Sequence, residues 1–336
     1  MNDVKISVIV PFYKTPQDGF DSCIESLISQ TYHNLEILVI DDCSGYEWFK
    51  QLDDVAKLDP RITVVRRETN GGLSAVRNYG LKICTGEFVV FVDSDDVLHH
   101  YAIQYLYENI LETGSDIAIG GLTITNTYEI QGLDEEQIVN VHIYDTITAL
   151  EKMMTNSGFG STACGRLAHK RVWESNGSPF IEGLLHEDLA STWEVVSGCQ
   201  KICWIDANLY YYYQGGQSAI HSKTVSAKFC QDFLFALNNR NNGVSLKYPS
   251  LSTAADYSNL VNCPNIYIYA CDIDNKNTSL LIKKEVLKLF KKSFKSGCAY
   301  PKSKRNQRIK MMIFKFEPSL FCLIYNLIRK IKGLRK

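Results

Sequence analysis

Residues 86–96 read Gly-Glu-Phe-Val-Val-Phe-Val-Asp-Ser-Asp-Asp, an apolar run that ends in a cluster of carboxylates. An apolar run without alternation predicts a strand buried on both faces, as in a parallel sheet covered by helices. Asp93 and Asp95, spaced i, i+2 after such a strand, suit a hard cation such as Mg²⁺ or Mn²⁺ and leave coordination positions for phosphate oxygens. The alternative is a helix N-terminus whose first turn carries acids favoured by the helix dipole.

The residues before this run alternate apolar runs with amphipathic stretches. The predicted strands are 6–10, 35–40 and 62–65, and the predicted helices are 20–30, 47–58 and 73–83. In a parallel sheet, ligands bind beyond the carboxyl ends of the strands. Polar clusters follow three of these ends, namely Pro11-Phe12-Tyr13, Asp41-Asp42 and Asp93-Ser94-Asp95-Asp96. We therefore expect the three clusters to form one site.

The remainder of the chain is less regular. It predicts a helix at 101–112, a strand at 117–125, a loop at 126–145, helices at 147–154 and 189–196, and a strand at 201–213. From residue 225 onward the pattern is mostly helical.

The composition is that of an ordinary folded protein, with 45% hydrophobic and 22% charged residues among 336. The net charge of −1 suggests neither a nucleic acid nor a membrane as partner. Eleven cysteines, without a CxxC pair or zinc-ligand spacing, suit a reducing compartment. Because the first residues lead into a strand without the apolar core of a signal peptide, we expect a cytoplasmic protein.

Five segments, in this order and spacing, resemble the inverting glycosyltransferases of family 2, which have the GT-A fold. They are Ser-Val-Ile-Val-Pro-Phe-Tyr at 7–13, Ser-Gln-Thr-Tyr at 29–32, Glu-Ile-Leu-Val-Ile-Asp-Asp-Cys-Ser at 36–44, Asn-Gly-Gly-Leu-Ser-Ala-Val-Arg-Asn-Tyr-Gly at 70–80 and the run at 86–96. The resemblance covers roughly 5–218 and implies an α/β fold with a Rossmann-like, mainly parallel sheet and flanking helices. Residues 1–100 would bind the nucleotide sugar and 101–220 the acceptor, while 221–336 would form a helical C-terminal region.

The resemblance assigns the nucleotide to the ends of the first two strands. Pro11 and Tyr13 would line the base and ribose pocket, with Tyr13 stacking on the base; the alternative for Tyr13 is a packed aromatic at a strand exit. Asp42, with Asp41 beside it, would accept a hydrogen bond from the imide N–H of the base. This contact implies a UDP-sugar as the donor.

The resemblance also assigns residues to the diphosphate. Arg77 would lie near it, with Gly71 of the Asn-Gly-Gly segment, because a guanidinium pairs with two oxygens at once. The alternative for Arg77 is a solvated helix residue. Asp93 would lie near the ribose and the metal, with Ser94 beside it at the nucleotide. Asp95 would be the direct ligand of Mn²⁺ or Mg²⁺.

The acceptor side is marked by Leu185-His186-Glu187-Asp188-Leu189, which matches the Glu-Asp pair of the family. By this resemblance Asp188 is the general base that takes the proton from an acceptor hydroxyl, and a single displacement inverts the anomeric carbon. Glu187, and more weakly His186, would contact the acceptor. The alternative is that Glu187 and Asp188 merely begin a helix.

Residues 214–218, Gln-Gly-Gly-Gln-Ser, predict a loop that would fold over the diphosphate. His221 follows this loop and is a weak candidate metal ligand, the alternative being an exposed histidine. Many relatives have arginine where this chain has Gln214, which argues against a cationic contact from the loop. The Gln-x-x-Arg-Trp motif of processive relatives is absent, so we expect transfer of one sugar per encounter.

The charge is unevenly distributed, because 280–336 carries 17 of the 36 Lys and Arg but only two of the 37 acids. After Pro318, apolar residues recur at helical spacing over about half of the roughly 20 residues that span a bilayer. Such a basic amphipathic tail predicts peripheral contact with an anionic cytosolic leaflet, where a lipid-linked glycan would be the acceptor. The alternative is a C-terminal helix packed on the core. Nucleic-acid binding is disfavoured because the tail lacks a binding motif and the rest of the chain is acidic.

The expected function is inverting, non-processive transfer of a hexosyl or N-acetylhexosaminyl group from a UDP-sugar to a glycan hydroxyl, in the synthesis of a bacterial surface polysaccharide such as a capsule. A haloacid-dehalogenase-type phosphatase is the first alternative, because 91–97 also fits its Asp-x-Asp-x-Val motif with Asp93 as nucleophile. That motif, however, normally follows the first strand of its domain. The second alternative is a non-catalytic nucleotide-sugar-binding protein, against which the presence of Asp95 and Asp188 argues.

Overall fold

A computed structural model describes residues 4–174, 177, 179–215 and 225–331. The chain divides into two compact units, which are described separately. Unit 1 comprises Met1–Leu150 and Gly158–Gly216, and unit 2 comprises Glu151–Ser157 and Gln217–Lys336.

Unit 1 is built on one mixed sheet. Its strands are β1 (Ile6–Phe12), β2 (Leu35–Asp41), β3 (Ile62–Arg66), β4 (Phe88–Phe91), β5 (Val97–Leu98), β6 (Ile117–Thr125), β7 (Asn140–Asp145), β8 (Arg166–His169) and β9 (Lys201–Tyr213). They lie in the order β3-β2-β1-β4-β8-β6-β9-β5, and β7 pairs with β9. The four strands from β3 to β4 are parallel, whereas β8 runs antiparallel to both β4 and β6.

Helices cover the sheet. In unit 1 they are α1 (Gln17–Ile28), α2 (Phe49–Val55), α3 (Gly72–Ile83), α4 (Ala102–Thr113), α5 (Thr146–Thr155, which continues into unit 2), α6 (Lys170–Trp173) and α7 (Glu187–Ser197). All seven residues of β1 are buried, as expected for a central strand with helices on both faces. At one end of this strand the ring of Phe12 packs 4.7 Å from that of Phe20 in α1.

Unit 2 is helical. It contains α8 (Ala227–Lys247), α9 (Ser252–Cys271), α10 (Lys276–Cys298), α11 (Arg305–Phe316) and α12 (Pro318–Ile331). Buried side-chain hydrogen bonds connect the first three of these helices: Asn241 of α8 donates to Asn259 of α9 (2.7 Å), which donates to Ser293 of α10 (2.9 Å). Among the described residues, every helix is too short or too polar to cross a membrane.

The α/β fold with a helical C-terminal region is confirmed. The predicted strands at 117–125 and 201–213 match β6 and β9 residue for residue. The sheet is parallel in its N-terminal half and around β6–β9, and the remaining pairings are antiparallel. The prediction of a loop over 126–145 was wrong at its end, where 140–145 form the exposed edge strand β7. All eleven cysteines are free thiols.

Candidate active site

The loops after β1, β2 and β4 meet at one edge of the sheet. These strands are adjacent and parallel, so their carboxyl ends lie side by side. The first two loops turn sharply, at Lys14 (φ 54°) and Cys43 (φ 60°), through the left-handed region that non-glycine residues rarely adopt. Buried hydroxyls then connect the loops: Thr15 and Ser94 are hydrogen-bonded at 2.6 Å, and the Lys14 amide donates to Ser44 at 3.1 Å. The three polar clusters therefore belong to one region of unit 1.

Asp42 holds the N-terminus of α3 in this region. Its buried carboxylate accepts hydrogen bonds from the amides of Gly71 (3.0 and 3.2 Å) and Gly72 (2.7 Å) and from the guanidinium of Arg67. These amides are among the first N–H groups of the helix, which have no partner within it. The carboxylate of the neighbouring Asp41 accepts from the Ser44 amide at 3.0 Å. Both aspartates thus shape the loops, and three donors already make four hydrogen bonds to Asp42.

Gly71 is required by close packing. A Cβ atom at this position would lie 2.7 Å from the Cβ of Ala75 and 2.8–2.9 Å from the guanidinium nitrogens of Arg67. Gly72 needs to be glycine for another reason, because its φ of +79° is unfavourable for residues with a side chain. The two glycines let the backbone approach Asp42 closely.

Asp93 and Asp95 follow β4 and are both partly exposed. Burial, together with the charge of Asp93, raises the pKa of Asp95 to about 6. Asp95 also lies beside α1 and the long 126–139 segment, since a Cβ on Gly19 would be 2.5 Å from the Tyr128 hydroxyl and 3.5 Å from the Asp95 Cβ. A cation bound beside Asp95 would offset the repulsion from the charge of Asp93.

Asp96 connects the carboxylate cluster to β9. It is fully buried and accepts hydrogen bonds from the Tyr210 hydroxyl (2.6 Å) and the Tyr213 amide (2.8 Å). The Tyr210 oxygen in turn accepts from the Asp93 amide at 3.1 Å. Burial and the charges of Asp93 and Asp95 raise the pKa of Asp96 to about 9. This network fixes the end of β9 against the loop that carries Asp93.

Arg77 of α3 joins the strand ends to the N-terminus of α7. Its side chain is 1% exposed and donates to Asp93 (2.9 Å), to Glu187 (2.7 Å) and, at 3.5 Å, to Asp188. The guanidinium also lies 5.9 Å from the ring of Phe91. Burial by itself would lower the pKa of Arg77, but the three carboxylates reverse this effect and raise the pKa well above its ordinary value. Arg77 is therefore a permanent buried cation that holds the two acidic groups together.

Glu187 and Asp188 differ in exposure and in proton affinity. The Glu187 side chain is 7% exposed and that of Asp188 is 25% exposed. Burial and the charge of Asp188 raise the pKa of Glu187 to about 9. Burial would also raise the pKa of Asp188, but Arg77 and the hydrogen bond from Glu187 lower it. These opposite shifts favour the proton on Glu187 and the negative charge on the more exposed Asp188.

The remaining residues predicted for the site differ in their exposure. Tyr13 is 51% exposed, with Lys14 Nζ 5.2 Å from its ring, whereas Pro11 and Ser94 are buried. His186 directly precedes α7 and is partly buried. His221 lies outside the described residues.

Three residues were missed by sequence reasoning. Arg67 donates to the carboxylate of Asp42, and Tyr210 donates to the carboxyl group of Asp96. Arg166 of β8 is 1% exposed and donates to the carbonyl of Gly160; burial lowers its pKa to about 10, opposed by the charge of Asp188. No motif marks these three positions, and β8 is too short for its pattern to be recognised.

The residues present fit a divalent metal. Asp93 and Asp95 supply hard carboxylate oxygens, and Mg²⁺ is often bound by one or two carboxylates with substrate phosphates and water completing its shell. Within the described part of the chain, no three His, Cys, Asp or Glu side chains form a metal-binding group.

The chain is similar to proteins of known family. The model of the family "Glycosyl transferase family 2" matches residues 7–167. The chain is similar to the glycosyltransferases GlyA (33% identity over 218 residues) and GlyG (30% over 222 residues) of Streptococcus pneumoniae serotype 4. Each match covers 62% of this chain, but 30% of GlyA and 70% of GlyG.

A solved structure shares the fold. The crystal structure of S. aureus TarS residues 1–349 in complex with UDP-GlcNAc is similar with a TM-score of 0.56 and 20% sequence identity. The match covers 86% of this chain and 90% of that one. Over a shorter segment of 122 residues, the chain is 36% identical to the poly(ribitol-phosphate) beta-glucosyltransferase of Bacillus spizizenii, covering 35% of this chain and 19% of that protein.

Proposed function

The chain belongs to glycosyl transferase family 2, and on this premise we propose that it transfers one sugar per encounter from a UDP-sugar to a glycan hydroxyl with inversion of the anomeric carbon. The observation that carries the proposal is the buried Arg77, which joins Asp93 on the donor side to Glu187 and Asp188 on the acceptor side. A site of this construction can bind a donor and deprotonate an acceptor at one place.

In the proposed reaction Asp188 is the general base. It is ionised and partly exposed, so it can accept the proton of the acceptor hydroxyl. The hydroxyl oxygen forms a bond to the anomeric carbon while the bond from that carbon to the diphosphate breaks on the opposite face. The electron pair of the broken bond leaves with UDP. Glu187, and more weakly His186, would contact the acceptor beside the base.

The donor diphosphate would lie at Asp93 and Asp95. These two carboxylates would hold Mn²⁺ or Mg²⁺, which when bound neutralises charge on the leaving diphosphate. His221 remains a weak candidate ligand. The two terminal nitrogens of Arg77 already pair with Asp93 and Glu187. Arg77 would therefore act on the donor by positioning Asp93. Gly71 and Ser94 would lie close to the nucleotide.

The nucleotide would be UDP. Tyr13, half exposed at the end of β1 beside Pro11, is available to stack on the base. An ionised carboxylate has about four lone-pair positions, and four hydrogen bonds already fill those of Asp42. The imide N–H of the base would therefore displace the guanidinium of Arg67, the one side chain among the three donors. A shared fold with a protein crystallised with UDP-GlcNAc supports this choice of donor.

The acceptor would be a glycan of a bacterial surface polysaccharide such as a capsule, carried on a lipid at the cytosolic face of the membrane. The name of the Bacillus spizizenii relative, which acts on poly(ribitol phosphate), supports a surface polymer as the acceptor class. The basic C-terminal tail would supply the peripheral membrane contact. A haloacid-dehalogenase-type phosphatase is a different family, and here Asp93 is paired with Arg77 instead of being free for nucleophilic attack.

A donor screen tests the proposal. Release of the nucleoside diphosphate, UDP or GDP, is measured from a panel of UDP- and GDP-sugars, with Mn²⁺ and with a chelator, in the presence and absence of candidate glycans. We expect UDP-sugar turnover that requires the metal and is lost in Asp95→Ala. Metal-independent turnover, or turnover of GDP-sugars alone, would contradict it. Release of inorganic phosphate from simple phosphate monoesters would instead support the phosphatase alternative.

A further inference from the structure

Unit 2 contains a small cavity in which three lysines converge on an aromatic floor. The cavity, of about 200 Å³, is lined by Phe290, Lys291, Phe294 and Lys295 of α10 and by Lys315 of α11. Lys315 Nζ lies 3.9 Å from the centre of the Phe294 ring, a cation–π contact that holds the ammonium group over the cavity. We call these five residues the lysine pocket.

The floor of the lysine pocket is part of the core of unit 2. Phe290 is 1% exposed, and its ring lies 5.7 Å from that of Phe294 and 4.9 Å from that of Phe314 in α11. Phe314 in turn packs against Phe321 of α12 at 5.4 Å. One aromatic cluster thus holds together α10 and α11, which line the pocket, and α12, and it gives the lysines fixed attachment points.

The lysine pocket forms no ion pair with acidic side chains among the described residues. Within the described residues, no ion pair involves Lys291, Lys295 or Lys315, and all three are exposed. Further exposed lysines of α10, at 284, 288 and 292, extend the positive surface along the same helix. Like charges that converge on one cavity repel each other, and a bound anion relieves this repulsion. Phosphate suits lysines, which bind it as point charges.

The helix that follows the lysine pocket exposes an apolar face. Lys315 lies three residues before the start of α12 at Pro318. In α12, Phe321 and Cys322 are buried, whereas five apolar residues at helical spacing are exposed: Leu320, Leu323, Ile324, Leu327 and Ile328. Cations at the end of α11, followed in the chain by an exposed apolar helix face, suit an amphiphile with acyl chains beside an anionic headgroup.

We propose that unit 2 docks on an anionic phospholipid surface, with the phosphate of one headgroup bound in the lysine pocket and the apolar face of α12 at the acyl boundary. The inference deepens the membrane contact of the proposed function and rests on it. The lysine pocket would bind one headgroup specifically, whereas the basic tail alone would give only a non-specific attraction to anionic lipids. A free phosphate or a nucleotide would use the lysines and leave the apolar face unused.

Vesicle flotation of the full chain tests the docking. Wild-type protein is mixed with vesicles of phosphatidylcholine alone or with added phosphatidylglycerol. The pocket variant Lys291→Gln/Lys295→Gln/Lys315→Gln is compared with a control variant that removes the same charge from exposed positions, Lys304→Gln/Arg305→Gln/Lys310→Gln. A third variant, Leu323→Ser/Leu327→Ser, changes only exposed side chains of α12.

We expect the wild type to float only with the anionic vesicles. The pocket variant should lose at least about tenfold more partitioning than the control, because diffuse attraction treats equal charges alike. The Leu323/Leu327 variant should also lose flotation. Equal losses in the pocket and control variants, or flotation with neutral vesicles, would overturn the headgroup site. Concentration-dependent dimerisation of the wild type that is lost in the pocket variant would assign the surface to a second copy instead.

The outcome of the flotation experiment does not depend on whether the protein transfers sugars. UDP release by the wild type, measured without vesicles, tests the proposed function independently of flotation. A protein that turns over UDP-sugars but does not float contradicts only the headgroup site. A protein that floats as expected but releases no UDP contradicts only the proposed transfer.

Discussion

Replacement of Arg77 by methionine is the sharpest structural test of the site. The guanidinium is 1% exposed, and it donates to the carboxyl groups of Asp93, Glu187 and Asp188. Removal of one member of a buried ion pair costs about 3–5 kcal/mol, because the remaining charges lose their partner. For a unit of roughly 200 residues, each kcal/mol lowers Tm by about 2–4 °C. We therefore expect Arg77→Met to lower Tm by roughly 6–20 °C.

Arg67→Met is the matched control. Its side chain is 19% exposed, and Asp42 keeps three backbone hydrogen bonds when Arg67 is removed. Both variants are unfolded in urea at neutral pH, and the free energies of unfolding are compared. A loss in Arg77→Met no larger than that in Arg67→Met would refute the view that Arg77 neutralises a buried acidic cluster.

The pH dependence gives a second check on the same variant. Arg77 lowers the pKa of Asp188, so in the wild type the stability from this pair is present above the unfolded pKa and is lost as pH falls through the folded one. Without Arg77 the carboxylates can be neutralised only by protons. The difference in unfolding free energy between wild type and Arg77→Met should therefore shrink from pH 7 to pH 5. A difference that is constant or grows over this range would contradict the electrostatic explanation.

Four further outcomes are expected. Glu187→Gln should retain most of its transfer rate, because glutamine resembles the protonated form that the raised pKa of Glu187 predicts; a loss beyond about tenfold in kcat would show that its charge is needed. Asp95→Asn should lose the Mn²⁺ dependence of UDP-sugar binding, measured by calorimetry with and without chelator, while its Tm stays near that of the wild type. Gly71→Ala should lower the free energy of unfolding by about 1–3 kcal/mol, since its Cβ overlaps Ala75; an unchanged urea midpoint would show that the loop adapts freely. Tyr13→Ala should weaken UDP binding by about 1–3 kcal/mol if the ring stacks on the base, and an unchanged dissociation constant would exclude stacking.

The part of the site that could be predicted is the part that follows strands with strong patterns. Asp41, Asp42 and Asp93 directly follow buried apolar runs, and parallel pairing of adjacent strands brings such residues together. The polar position of Glu187 and Asp188 at the start of a helix was also readable from the sequence. Strand ends and helix starts are local features, so a local pattern suffices to find them.

The remainder depends on contacts that are distant in sequence. Arg77 meets Asp188 across 111 positions, and Tyr210 meets Asp96 across 114. The residues around Arg77 in the sequence are compatible both with a buried arginine that pairs with carboxylates and with a solvated arginine on a helix. β8 is a strand of four residues inserted antiparallel between β4 and β6, and its pairing is set by the sheet and not by its own pattern. The burial of Arg166, the first residue of β8, likewise depends on the position of this strand in the sheet.

The proposed role of Asp188 is tested most directly by measuring donor binding and sugar transfer in the same variant. For Asp188→Asn, calorimetry with a UDP-sugar and Mn²⁺ should give a dissociation constant within about threefold of the wild-type value. Transfer to the acceptor should fall by about 10²–10⁴-fold, the usual contribution of a general base. Transfer at a near wild-type rate would show that another group accepts the proton, and the account of this site as a linked donor and acceptor centre would be contradicted.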